Sequence, residues 1–367
     1  MRKPNVVFII ADFDFGGIEN ILSEILIRLK SDKDIDFNVI NISGKGRMHE
    51  KLKAEGYNIL SCGSSKDTLK KFNFKTVNKL RKLLNELKPD IVHTSQYKAD
   101  YFGRIASIGF PHKVITHIHN PTIQKKFFRR LTNRLLAHVT DAFISVSDIV
   151  YDMVEANFNK SDKPHVVLHN FIDITKVETA APCTKNDLGV ADKKLIVSVG
   201  RLVKEKNLEL IIKALPEILK YVPDAHYFCI GEGGNKRTLQ NLASEEGVIE
   251  HVTFAGYKDN VYSILKIADV FCMPSAFEGF GIAHLEAMAA GVPSVVSDAV
   301  PTKEFASEAS LFCVNDEQII ASQIVKILTD RKLSEELGYK SKMISAEFSI
   351  ENYISKLKSI YSNLCNF

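Results

Sequence analysis

Two glutamates, Glu278 and Glu286, stand with seven residues between them in the segment 274–293, which reads PSAFEGFGIAHLEAMAAGVP. A carboxylate accepts hydrogen bonds from vicinal hydroxyls, so such a pair can hold a sugar with one acid and a ribose with the other. The first lies in a glycine-bearing loop after an apolar run, 269–273, and the second within a helix that starts near Gly281 and stops at Gly291 and Pro293. A helix start offers free backbone N–H groups and the positive end of the helix dipole, which suits a phosphate. Phe280, Gly281, Ile282 and Ala283 would supply those amides. A chance pair of surface acids would not need the apolar and glycine context that surrounds both.

A second cluster, Val199-Gly200-Arg201-Leu202-Val203-Lys204-Glu205-Lys206-Asn207, follows another strand-like run. A guanidinium fork at Arg201 and a point charge at Lys206 can converge on a diphosphate. Gly231-Glu232-Gly233-Gly234 is an incomplete dinucleotide fingerprint, with Lys at position 236. In the first half, Gly16 and Gly17 follow the first strand, where glycine lets backbone approach a ligand closely. Asp12-Phe13-Asp14 resembles a manganese motif of a different enzyme fold, and His117 and His119 point the same way along a strand. No third ligand accompanies the histidines, and the cations already supply positive charge. No metal and no cofactor is therefore expected.

The first cluster resembles the E-x7-E signature of glycosyltransferase family 4, whose members are retaining enzymes with the GT-B fold. The second resembles the family's G-R-x-x-x-x-K motif. The resemblance implies that Glu278 contacts the donor sugar, that Glu286 binds the nucleotide ribose, and that Arg201 and Lys206 neutralise the leaving diphosphate. It further implies roles in donor binding for the turn at Gly231, for Tyr257, for the Gly16–Gly17 loop and for His119 at a strand end. Asn120 stands where relatives commonly carry Asp. The expected activity is transfer of a sugar from a nucleotide-diphosphate donor, UDP-linked, to a glycan or lipid-linked acceptor in bacterial surface polysaccharide synthesis. The alternatives are a UDP-sugar epimerase of the same fold and a non-catalytic partner of a glycan or a sister transferase.

These loops need a scaffold that ends strands at one edge. Apolar strand-like runs at 5–11, 37–42, 57–61, 90–94, 113–118, 142–146 and 165–168 alternate with helical patterns, and a second series runs at 194–199, 226–230, 251–255, 269–273, 293–297 and 310–314. Such alternation predicts parallel sheets, and two series predict an α/β protein of two Rossmann-like doubly wound domains. The resemblance sets these domains facing across a cleft. The expected division is 1–172 for the acceptor and 173–349 for the donor, joined by the polar stretch 173–193, with a closing helix at about 350–367 returning to the first domain. Tyr353, Leu357, Ile360 and Leu364 lie along one side of that helix.

The chain has 367 residues, 45% hydrophobic and 25% charged, the balance of a soluble globular protein. No apolar run is long enough to span a bilayer, and the start lacks a secretory cleavage pattern. Six cysteines form no C-x-x-C pair and read as reduced thiols of a cytoplasmic protein. The net charge of +4 is uneven: residues 1–170 hold 27 basic and 18 acidic side chains, a net +9, and the remainder a net −5. No nucleic-acid motif accompanies that charge. Instead, Phe127, Phe128, Leu131 and Leu135 share a helical side flanked by Lys126, Arg129, Arg130 and Arg134, within 124–136. A second basic run holds Lys70, Lys71, Lys75, Lys79, Arg81 and Lys82. Basic amphipathic helices bind anionic membranes, so peripheral attachment to the inner membrane face is expected.

Overall fold

The computed structural model describes residues 3–14, 16–64, 69, 72–120, 127–157, 159 and 162–365. The chain divides into two units, residues 1–170 with 351–367, and residues 171–350. The polar stretch 173–193 lies wholly inside the second unit. It opens with a helix, because the Asp173 side chain accepts from the Lys176 N–H at 3.1 Å and so caps the helix start.

In the first unit the strands are β1 (Asn5–Ile10), β2 (Asp36–Asn41), β3 (Ile59–Ser61), β4 (Ile91–Ser95), β5 (Lys113–Ile118), β6 (Ala142–Ser145) and β7 (His165–Val167). The helices between them are α1 (Gly17–Lys30), α2 (Arg47–Ala54), α3 (Phe74–Leu87), α4 (Tyr97–Ser107), α5 (Phe127–Ala137) and α6 (Asp148–Asn157). The second unit begins with α7 (Ile174–Thr179). Its strands are β8 (Lys194–Val199), β9 (Ala225–Ile230), β10 (Val252–Gly256), β11 (Val270–Met273), β12 (Ser294–Ser297) and β13 (Leu311–Cys313). Its further helices are α8 (Glu209–Tyr221), α9 (Lys236–Glu245), α10 (Val261–Leu265), α11 (Ile282–Ala290), α12 (Lys303–Ala306), α13 (Glu317–Thr329) and α14 (Arg331–Ser345). The chain then enters α15 (Ile350–Cys365), whose body belongs to the first unit.

Both sheets are parallel, and each has the doubly wound order. The first runs β3-β2-β1-β4-β5-β6-β7 and the second β10-β9-β8-β11-β12-β13. The thirteen strand-like runs all become strands. Their near-continuous apolar character follows from burial on both faces. Ile196, Tyr227, Val270 and Val295 pack on one side of the second sheet, while Leu195, Val197, Phe228 and Phe271 pack on the other. The order reverses between β1 and β4 in one sheet and between β8 and β11 in the other. Ligands of such sheets bind beyond the carboxyl ends of strands at that reversal. The Arg201–Lys206 segment follows β8, and the Glu278–Gly281 segment follows β11.

Four further features depart from, or lie beyond, the sequence patterns. Helix α4 carries no clean apolar stripe because it is buried on nearly every side, with Asp100 and Arg104 inside. Gly103 is required there, since a Cβ would sit 2.6 Å from the Thr94 methyl. Arg104 ties α4 to α5 by donating to Asn133 Oδ1, so the buried side of α5 holds Asn133, Leu136 and Ala137. Phe127, Leu131 and Leu135 are instead exposed at 66%, 46% and 64%. Lys70, Lys71, Gln124, Lys125 and Lys126, and the side chain of Phe128, lie outside the described residues. In α15 the buried side is Tyr353, Ile354, Leu357 and Tyr361, so Tyr361 rather than Ile360 continues the stripe.

Candidate active site

The loops after β8, β9 and β11 are held together by backbone. Leu202 N–H donates to Glu232 O at 2.9 Å, Gly231 N–H to Gly256 O at 2.9 Å, and Ala276 N–H to Glu205 O at 2.8 Å. Gly231 lies so close to the preceding loop that a Cβ would meet the Gly200 carbonyl oxygen at 1.9 Å, and a Cβ on Gly233 would meet that of Leu202 at 2.3 Å. These glycines therefore serve loop-on-loop packing, whatever the turn also binds. Gly234 faces open space.

Lys206 crosses over Gly200 and pairs with Glu278. Its ammonium and the hydroxyl of buried Ser275, at 2.8 Å, both donate to Glu278 Oε1. Glu278 Oε2 has no protein partner among the described residues, so it is open to a ligand. Lys206 has three donors and can serve Glu278 and phosphate oxygens together. Arg201 is exposed, three residues before the 3-10 turn Lys204–Lys206.

Helix α11 starts at Gly281, with φ 103° and no side chain capping it. A Cβ there would strike Val300 at 2.7 Å. Ile282 and Ala283 form the first turn, whose amides are left for a ligand, and Phe280 beneath them is buried against Phe305. On the same helix Glu286 lies 3.5 Å from the Tyr262 hydroxyl. Burial pushes its carboxyl up to about 7, and Tyr262 opposes that shift. His284 points into the core, where Thr302 and Ser310 hold its two nitrogens at 2.7 and 2.9 Å. It is a structural tie. Tyr257, beyond β10, is exposed.

In the first unit, Gly16 heads α1 without a side-chain cap, and Gly17 begins the helix. A Cβ on Gly16 would meet the Glu19 carboxylate at 2.3 Å. Asp12 accepts from Ser43 at 3.0 Å, and Asp14 pairs with Arg47 at 3.1 Å, while Phe13 between them is fully buried. His119 follows β5, with its ring 4.1 Å from that of His117. Burial pulls His119 down to about 3, so it is neutral at pH 7. Two surface hollows, one around Thr184, Lys194 and Asp224 and one between α8 and α13, are lined by none of these residues.

Residues 184–343 match the family described as "Glycosyl transferases group 1", and residues 15–176 match "Glycosyltransferase Family 4". The chain belongs to glycosyltransferase family 4. A relative across nearly its whole length is an uncharacterised glycosyltransferase of Haemophilus influenzae, 25% identical, covering 94% of this chain and 96% of the relative. The UDP-Gal:alpha-D-GlcNAc-diphosphoundecaprenol alpha-1,3-galactosyltransferase of Escherichia coli is 27% identical over 80% of each chain. Among solved structures, Anabaena HepE in complex with UDP-glucose superposes with a TM-score of 0.83 at 18% identity, covering 98% of this chain and 100% of that one. The glycosyltransferase thus has the GT-B fold of two Rossmann-like domains.

Four positions around the transferase's motif loops had gone unassigned in the sequence. Ser275 and Tyr262 hold the two glutamates. Gln96, with φ 80°, bridges the Ala11 N–H at 3.2 Å and the Glu19 carboxylate, so it anchors the glycine loop after β1. Its position directly after a strand was the only signal. Tyr361 reaches β4 from 268 residues away in the chain, and no local pattern announces that contact.

Proposed function

We propose that this glycosyltransferase takes a hexosyl group from a UDP-sugar and transfers it, with retention at the anomeric carbon and without a metal, to a lipid-linked glycan acceptor in surface polysaccharide synthesis. The observation that carries the reading is Glu278: one oxygen is anchored by Lys206 and Ser275, and the other is open to sugar hydroxyls. Lys206 and Arg201 on one side and the open start of α11 on the other would stabilise charge developing on the diphosphate. Preorganised donors of this kind contribute about 3–4 kcal/mol each. Glu286 would take the ribose hydroxyls. The acceptor hydroxyl would attack from the face that the diphosphate leaves, and no side chain is assigned as a covalent nucleophile. HepE was solved with UDP-glucose, and the Escherichia coli relative uses UDP-Gal and a diphosphoundecaprenol acceptor, which favours this donor class and acceptor type.

The acceptor class also agrees with α5. Its exposed Phe127, Leu131 and Leu135 stand at four-residue spacing beside exposed Arg130 and Arg134, which suits an anionic membrane surface. No described helix is long and apolar enough to cross a membrane. Incubation with a panel of UDP- and GDP-sugars and a polyprenyl-diphosphate glycan, with the product anomer read by NMR, tests the reading. An α-linked product from an α-linked UDP-sugar is expected. An inverted product, or turnover only with GDP-sugars, overturns it.

A further inference from the structure

A buried imidazole sits inside the helix whose start is given the diphosphate. His284 lies on α11 in the second unit, and its two nitrogens face two hydroxyls: Nδ1 is 2.7 Å from Thr302 Oγ1, and Nε2 is 2.9 Å from Ser310 Oγ, just before β13. His284, Thr302 and Ser310 are 0%, 0% and 3% exposed. The ring lies nearly parallel to Phe271 of β11, with centroids 6.2 Å apart, and edge-on to Phe312 of β13 at 5.9 Å. Burial pulls His284 down to about 3, so the ring is neutral and one nitrogen donates while the other accepts. A hydroxyl can play either part, so both contacts are made in either tautomer.

Three buried polar side chains are a costly way to fill a core, because each gives up water that an apolar trio would not need. What they add is direction. A hydrogen bond fixes an angle as well as a distance, and a fully satisfied buried network holds its members in one arrangement. The start of α11 needs such a hold, because Gly281 has φ 103° and no side chain caps it. The His284 N–H closes the first turn on the Gly281 carbonyl at 3.0 Å, so the imidazole leaves the helix one residue beyond the Ile282 and Ala283 amides. Its partner Thr302 returns to the same turn. Thr302 lies against Gly281, where a Cβ would come within 3.2 Å of the threonine methyl. It also heads α12, whose Phe305 packs on Phe280. The imidazole and α12 therefore grip the start of α11 together, and Ser310 ties that grip to the sheet.

We propose that His284 is a positioning residue for glycosyl transfer: by bridging Thr302 and Ser310 it fixes the first turn of α11 in the orientation at which the Ile282 and Ala283 amides meet the diphosphate of the donor. The ligand rests on the UDP-sugar reading above. The bridge does not.

The test compares UDP with uridine, which keeps the base and ribose and lacks the diphosphate. Both are titrated against full-length protein by displacement of a fluorescent UDP derivative, and Tm is recorded for each variant. His284→Leu breaks both hydrogen bonds while keeping an apolar side chain among Phe271 and Phe312. It is expected to weaken UDP about tenfold and to leave uridine within about twofold of wild type. His284→Gln, whose amide can donate to one hydroxyl and accept from the other, is expected to recover most of the UDP affinity. Thr302→Val is expected to weaken UDP more than Ser310→Ala does, because Thr302 also lies against Gly281. These two variants carry the test if His284→Leu does not fold. The imidazole is neutral throughout, so the ratio of variant to wild-type affinity is expected to be the same at pH 6 and pH 8. A lower Tm with UDP affinity unchanged, or equal losses of UDP and uridine, would make His284 an ordinary core residue and overturn the proposal. A wild type that binds uridine as tightly as UDP would instead remove the diphosphate from α11, and the functional reading beneath would fall with it.

Discussion

Lys206 and Arg201 together form the proposed diphosphate clamp, but their surroundings differ: Lys206 is paired with Glu278 and Arg201 is exposed. Each would make a charge-assisted contact of about 1.5–3 kcal/mol, so alanine at either is expected to cut kcat/KM at least about tenfold. Lys206→Ala additionally removes the cation from a Glu278 carboxylate whose side chain is 16% exposed, leaving only the Ser275 hydroxyl on that oxygen. It is expected to lose more activity than Arg201→Ala and also to lower Tm, which kinetics and thermal unfolding check together. Near-wild-type turnover in both variants would refute the clamp. Glu286 carries a pH signature. Its folded pKa, about 7, lies above its ordinary 4.5, so the folded protein binds this proton more tightly than the unfolded chain does. Its stabilising effect is full at low pH and is lost as pH rises from about 4.5 to 7. Glu286→Gln is therefore expected to stabilise the ligand-free protein at pH 8, by about 1–3 kcal/mol. Ribose hydroxyls prefer the carboxylate as acceptor, so UDP affinity is expected to rise between pH 6 and 8 in the wild type and to stay flat in the Gln variant. Calorimetry across that range decides it, and parallel profiles would remove Glu286 from the ribose site.

At the scale of elements, the turn after β9 separates packing from binding. Gly231→Ala forces a Cβ into the Gly200 carbonyl at φ 137°, and a cost of about 3 kcal/mol or more is expected. Gly234→Ala meets nothing and should stay within about 1 kcal/mol of wild type. Equal melting temperatures would show that the loops do not pack as described. Helix α5 supplies the other test of an element. If its exposed stripe docks on lipid, Leu131→Asp combined with Leu135→Asp should abolish sedimentation with phosphatidylglycerol vesicles and spare Tm, since neither side chain is in the core. Each cation near such a surface adds about 1 kcal/mol, so Arg130→Glu with Arg134→Glu should weaken binding and its salt dependence together. Binding by the wild type that resists high salt, or none at low salt, would defeat the membrane reading. The amphipathic pattern of α5 was legible in the sequence, but which way it faced was not. That depended on Arg104 of α4 reaching Asn133, a contact between two helices whose polar residues look like surface until they are packed.

For the molecule as a whole, the proposed chemistry gives the charge-neutralising role of a divalent ion to Arg201, Lys206 and the start of α11. Activity is expected to survive excess EDTA. Loss of turnover restored by manganese would return Asp12 and Asp14 to consideration, although both already have protein partners. The amino-acid sequence by itself determined the parallel α/β architecture, because strands buried on both faces are apolar throughout and most helices between them, α4 excepted, are amphipathic. It also placed Arg201, Lys206, Glu278 and Glu286 beyond strand ends, because glycine-bearing loops entering helices are local features. Only the tertiary structure decided what needed distant partners: that Lys206 and Ser275 share one oxygen of Glu278, that His284 is a core tie rather than a ligand, that the apolar stripe of α5 faces outward, and that Tyr361 reaches His93. Backbone periodicity is written over a few residues, whereas the orientation of a buried polar side chain is set by whichever donor or acceptor the fold brings beside it.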